Sequence, residues 1–114
     1  MGTMQHVEEM QVVELTEEAA PLETQELAGP IRAMSGRGHG QFWAVLSNAG
    51  VNRHSRVLAS ITEIGFDGGG AFPVKGLARC EVSNVVPTDG NQLNCWVNIG
   101  WQTDLAYRIY FTVE

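Results

Sequence analysis

From Pro30 onward apolar and polar residues alternate with period two, the spacing that sends successive side chains to opposite faces of a sheet. Phe42, Ala44 and Leu46 fall on one face, Trp43 and Val45 on the other. Val57, Ala59 and Ile61 alternate with Leu58, Ser60 and Thr62 in a strand expected to run to Phe66. The run Asp67, Gly68, Gly69, Gly70 ends it, because consecutive glycines leave the backbone too free for a regular element. A strand is then expected from about Val74 to Val86, a turn at Pro87, Thr88, Asp89 and Gly90, and a return strand from Gln92 to Gly100. In this hairpin Cys80, Val82 and Val86 point inward and Arg79, Glu81 and Ser83 outward. On the return, Leu93, Cys95, Val97, Ile99 and Trp101 continue the inward series against outward Asn94, Trp96 and Asn98. The last strand places Leu105, Tyr107, Ile109, Phe111 and Val113 inward, and Arg108, Tyr110 and Thr112 outward. With no helical period between them, these segments predict an all-β domain, a small antiparallel six-stranded β-sandwich over residues 31–114.

Residues 1–30 follow another pattern. Val7, Met10 and Val13 or Glu14 mark a loose helical period, and Thr16 to Ala20 form a helix-compatible segment halted by Pro21. The stretch holds seven glutamates, no Lys or Arg and no aromatic residue. Such a composition buries little apolar surface, so the expectation is an acidic arm, flexible or ordered by a partner subunit. Setting the arm aside changes the charge picture. The formal net charge of −6 divides into −7 for the arm and +1 for the domain, whose seven Lys and Arg face six Asp and Glu. The domain's basic residues are scattered, which argues against a nucleic-acid partner. No apolar run approaches the roughly 20 residues needed to span a bilayer, and the first residues, with Glu8 and Glu9, lack the pattern of an export signal. At 114 residues there is room for one domain of ordinary size.

The two cysteines, Cys80 and Cys95, are too few for a disulfide scaffold or a cysteine-only metal site, and admit one bridge or two thiols. His39 and His54 fall in Gly- or Arg-rich loops, with no His-x-x-x-His or Cys-x-x-Cys pair. Asp67, Asp89 and Asp104 adjoin turn residues, where aspartate commonly bonds its own backbone. Gly36, Gly38 and Gly40 around Arg37 hint at a phosphate loop, but no Lys-Ser or Lys-Thr follows and no helix opens there. No catalytic constellation emerges, so neither an enzyme, a metal nor a cofactor is expected. The tryptophans point to binding instead. Trp96 stands outward between Asn94 and Asn98, and Trp101 and Gln102 adjoin Thr103 and Asp104. An indole beside fixed polar groups suits a sugar, whose C–H face stacks while its hydroxyls are bonded. The alternatives are a subunit interface for Trp96 and the core for Trp101.

The order Val57-Leu58-Ala59-Ser60-Ile61-Thr62, then Leu77-Ala78-Arg79, then Val82-Ser83 and the Pro-Thr-Asp-Gly turn, then Asn94-Cys95-Trp96 and an aromatic last strand ending in Glu114, resembles the H-type lectin domain. The resemblance covers about half of the chain. It implies a six-stranded antiparallel sandwich, assembly as a homotrimer or multiple of three, and binding of N-acetylgalactosamine or a related galactose-type carbohydrate. Carried over residue by residue, it assigns sugar contacts to Lys75, to Trp101 with Gln102 or alternatively Trp96, and to Gly50 and Asn52. The chain departs from the family pattern in having Lys75 for an arginine, Gln102 for a histidine and Asn52 for an aspartate. A structural or assembly protein, such as a phage fibre or particle component without sugar binding, is the second expectation.

Overall fold

The computed structural model describes residues 11–18 and 31–114. The described chain is all-β: β1 (Gln11–Glu17), β2 (Arg32–Gly38), β3 (Gly40–Ser47), β4 (Val57–Asp67), β5 (Gly70–Pro73), β6 (Arg79–Pro87), β7 (Gln92–Gly100) and β8 (Leu105–Val113). They form one sheet in the order β5-β4-β8-β2-β1-β3-β7-β6. All pairings are antiparallel except that of β1 with β3, which is parallel. The eight strands correct the expected six, and β1, β2 and β5 are the strands that the sequence pattern does not predict.

The sheet bends so that its two halves enclose a common core. Leu93, Cys95, Val97 and Ile99 from one half and Tyr107, Ile109 and Phe111 from the other are fully buried in a single cluster. The rings of Phe42 and Tyr107 meet with centroids 5.7 Å apart. Each fully buried aliphatic or aromatic side chain contributes about 1.5–3 kcal/mol. The inward series expected for β3, β7 and β8 is therefore the observed core up to Ile99.

Departures arise where pairing breaks the alternation. Asp67 pairs with Gly70 across a two-residue turn at Gly68 and Gly69, and Gly70 takes a φ of +109° that a side chain would resist. The glycine run thus reverses the chain into β5 rather than ending regular structure. Residues 74–78 are not the start of a strand: Val74 N–H still donates to the Glu63 carbonyl at 3.0 Å, and the chain then crosses to β6, which begins at Arg79. Within β6 the register slips between Ser83 and Val86, with Asn84 at a φ of +47°. This bulge turns Val85 onto the core and leaves Val86 43% exposed, reversing the expected orientation of Val86. Cys80 and Cys95 are free thiols, Cys80 half-buried and Cys95 fully buried.

The arm yields the largest correction. Over residues 11–18 it is not helical but contributes a strand to the sheet. Leu15 is buried and Val13 packs on the core, while Val12, Glu14 and Thr16 face out, a period of two. The first part of β1 pairs with β3 and its end pairs with β2, so this strand joins the two halves of the sheet. The remaining arm residues lie outside the described part of the chain.

Candidate functional site

Two arginines hold β1 in place. Arg32 donates from Nε and Nη2 to the two Glu17 carboxylate oxygens, both at 2.7 Å, and from Nη1 to the Ala49 carbonyl at 2.8 Å. Arg108 donates to Glu18 at 2.8 and 3.1 Å, and the Ser35 hydroxyl adds a bond of 2.6 Å to the same carboxylate. The Arg32 hydrogen bond is the main reason Glu17 ionises below the usual carboxylate range. Burial pushes Glu18 up, but its bonds from Arg108 and Ser35 together outweigh this and leave it lowered. Such two-pronged charged contacts are the strong kind, and they fasten the acidic segment to its own domain.

The outer face of β1, β3, β7 and β6 carries an aromatic cleft. In register across the strands stand Val12, Trp43, Trp96 and Ser83, and in the next outward row Glu14, Val45, Asn94 and Val86. Trp96 meets Trp43 edge to face, centroids 5.3 Å apart at 63°. The cleft beside them measures about 280 Å³ and is lined by Val12, Trp43, Val45, Val86 and Asn94, apolar but for one amide. It suits an apolar side chain better than a hydroxylated ligand.

At the β7–β8 end the chemistry is mixed. Strand β7 stops at Gly100, so the alternation that would send Trp101 inward stops as well, and the indole is 43% exposed. Trp101, Gln102, Thr103 and Gly100 line an open concavity of about 550 Å³. Asp104 follows in the same turn and meets His39, from the β2–β3 junction, with Nδ1 to Oδ1 at 2.6 Å.

Of the residues singled out in the sequence, Trp101 and Gln102 stand together at this end. Trp96 lies on the outer face within β7. Gly50 and Asn52 sit at the far end: Ser47 pairs with Gln92, whereas Gly40 pairs with Ile99, which separates the two ends by roughly 25 Å of strand. There Gly50 N–H donates to Asn91 Oδ1 at 2.6 Å with a φ of +78°, and Asn52 Oδ1 accepts from His54 N–H at 2.8 Å, so both shape the β3–β4 loop. Lys75 is exposed on the β5–β6 connection, off any strand. Gly36 and Gly38 belong to β2 rather than to a phosphate loop. A Cβ on Gly36 would fall 2.6 Å from the Tyr107 hydroxyl, and one on Gly38 3.3 Å from the Phe42 ring. These glycines make room for the core aromatics.

The His39–Asp104 pair was not legible in the sequence, because the two are 65 residues apart and each reads alone as a solvated loop group. Trp43 carried a usable signal: it and Trp96 are outward on β3 and β7, which turn out to be neighbours. Burial pushes the Cys95 thiol up to about 12, and burial first, then the charge of Glu63, raises Cys80, so neither is an activated thiolate. Among the described residues no three His, Cys, Asp or Glu side chains cluster as metal ligands. No helix of the described chain is long and apolar enough to cross a membrane. No known family model, curated protein or solved structure matches the chain.

Proposed function

We propose that this chain is a non-catalytic, carbohydrate-binding β-sandwich module that acts as a homo-oligomer. The observation that carries the reading is Trp101: a large indole left 43% exposed at the end of a strand, flanked by the amide of Gln102 and the hydroxyl of Thr103 in one concavity. A flat aromatic surface with polar groups at its rim is what a sugar ring requires, C–H faces on the indole and hydroxyls on the amide. The sequence resemblance to H-type lectins favours a galactose or N-acetylgalactosamine type of ligand and a trimer. The apolar cleft at Trp43 and Trp96 is consistent with a subunit contact, since tryptophans concentrate where subunits meet. A glycan array probed with the purified protein, together with its mass by light scattering, tests both parts. Galactose-type ligands on a multimer support the reading, and a monomer that retains no glycan removes it.

The second reading, a structural or assembly protein without sugar binding, is favoured by one observation. Leu58 and Phe66 on the opposite outer face are 77% and 64% exposed, more apolar surface than a free monomer usually presents. A multimer that binds no glycan supports that alternative.

A further inference from the structure

We infer that the segment Lys75-Gly76-Leu77-Ala78-Arg79 of one copy docks on the Trp43–Trp96 cleft of another, with Leu77 as the knob that fills it; this rests on the oligomer half of the reading above. Leu77 is 92% exposed, the most of any large apolar residue among those described, on the connection that follows β5 and opens β6. Burying such a side chain is favourable, and its own fold leaves it in water. Two bases flank it. Lys75 and Arg79 are both exposed, and neither forms an ion pair with a described residue.

The cleft is the counterpart in shape and in charge. Val12, Trp43, Val45 and Val86 line it, and its one amide, on Asn94, already donates to the Val86 carbonyl at 3.4 Å. At about 280 Å³ it falls just short of the roughly 300–1,000 Å³ usual for small-molecule sites, and an aliphatic side chain suits it. Glu14 extends the Val45 row on one side of the two indoles, and Glu81 stands beside Asn98, one outward row beyond Trp96 on the other. Successive outward rows lie about 7 Å apart, so a carboxylate stands diagonally on each side of the aromatic pair. Both glutamates are exposed and have no basic partner among the described residues. Arg79 stands only two residues before Glu81, yet the two do not pair. An apolar hole between two acids thus answers an apolar knob between two bases. Within one chain they are apart: Leu77 precedes the Arg79 end of β6, whereas Val86 lies at the other end, roughly 20 Å along the strand. The contact therefore joins different patches of two copies, and each copy both gives a knob and receives one, in a two-fold pair or in a ring.

The experiment is the mass of the full-length protein by light scattering over a concentration series. It compares wild type, Leu77→Asp, the rim pair Glu14→Lys with Glu81→Lys, the knob pair Lys75→Glu with Arg79→Glu, and the chain that carries all four charge reversals. Leu77→Asp and each charge pair should raise the dissociation constant about tenfold or more, and the four reversals together should restore it to within about threefold of wild type. The unfolding midpoint of the dilute protein should not change, because every substituted position is exposed. If wild type is a multimer and Leu77→Asp associates as tightly, or if the four reversals fail to rescue, the inference is wrong while the oligomer reading stands on another surface. If wild type is a monomer at every concentration, the inference and the oligomer reading fall together, and the glycan array still decides the carbohydrate half.

Discussion

The space that Gly36 leaves empty is taken up in the core by the ring and hydroxyl of Tyr107. Tyr107 is fully buried, and its hydroxyl has no hydrogen-bond partner among the described residues. Burial pushes that phenol up to about 12. A methyl added at Gly36 would lie 2.6 Å from the Tyr107 hydroxyl oxygen, 2.8 Å from Cζ and 3.0 Å from Leu15 Cδ2. Gly36→Ala should therefore overpack the seam of β1, β2 and β8, costing about 1–3 kcal/mol. The lower backbone freedom of alanine in the unfolded chain offsets roughly 0.4–1 kcal/mol of this. Tyr107→Phe should act the other way. Deleting a buried hydroxyl without a partner removes a desolvation cost of about 1–3 kcal/mol and leaves only a small void, so the variant should be as stable as wild type or more so. In the double variant the 2.6 Å clash is gone but the 2.8 Å approach to Cζ remains, so Tyr107→Phe should rescue Gly36→Ala partly, with a coupling of about 1 kcal/mol. Denaturant unfolding of the four proteins at constant m-value measures this. A Tyr107→Phe variant more than about 1 kcal/mol less stable than wild type would mean that the hydroxyl is satisfied, and the reasoning would fail.

Trp101→Ala should cost under about 1 kcal/mol, because the residue is exposed, against the roughly 3–5 kcal/mol of a core tryptophan; a melting point lowered by a core-sized amount refutes its placement. If the proposed oligomer forms through this face, Trp43→Ala or Trp96→Ala should weaken it by about 2 kcal/mol or more, read as a concentration-dependent loss of mass in light scattering, whereas an unchanged mass removes the cleft from the interface. Glu17 and Glu18 ionise in the fold below the ordinary glutamate value of 4.5, so their contribution is complete above about pH 4.5 and is lost as acid protonates them in the fold. Protection factors of the β1 amides, taken relative to the intrinsic exchange rate at each pH, should accordingly fall below that pH, and Glu18→Gln should blunt the effect; protection that is flat from about pH 6 to about pH 3 contradicts the clamp. A thiol reagent should count two thiols in denaturant and reach Cys95 in the native protein only through unfolding, whereas rapid native labelling of Cys95 refutes its burial.

The β6–β7 hairpin and β8 were legible in the sequence because their signals are local. A Pro-Thr-Asp-Gly turn sets the register, and inward Leu93, Cys95, Val97 and Ile99 repeat without interruption. The bulge at Asn84 was not legible, since one extra residue leaves composition and hydropathy unchanged yet swaps Val85 for Val86. Strand β1 was hidden by its glutamates. Glu17 and Glu18 look like solvent-facing charge until their arginines are found, 15 and 90 residues away. Trp101 shows the limit of parity arguments, which hold only while the strand lasts. Gly50 and Asn52, carried over by resemblance, lie at the wrong end of β7 to join Trp101 within one chain. The His39–Asp104 contact depends on two turns meeting at one corner, and no short window of sequence contains both.

The position of β1 also constrains how the protein is made. Its hydrogen-bonding partners, β2 and β3, follow it from the ribosome within about 35 residues, but Arg108, which grips Glu18, is synthesised only 90 residues later. Until β8 arrives, the parallel β1–β3 pair has half of its anchorage, and parallel pairing is the slightly weaker kind per residue. The nascent chain must therefore keep Val12, Val13 and Leu15 out of trouble through most of translation, and acidic neighbours such as Glu14, Glu17 and Glu18 serve as charge gatekeepers for that apolar segment. The same carboxylates that lock the finished sheet thus keep its earliest described strand soluble while its partners are still unmade.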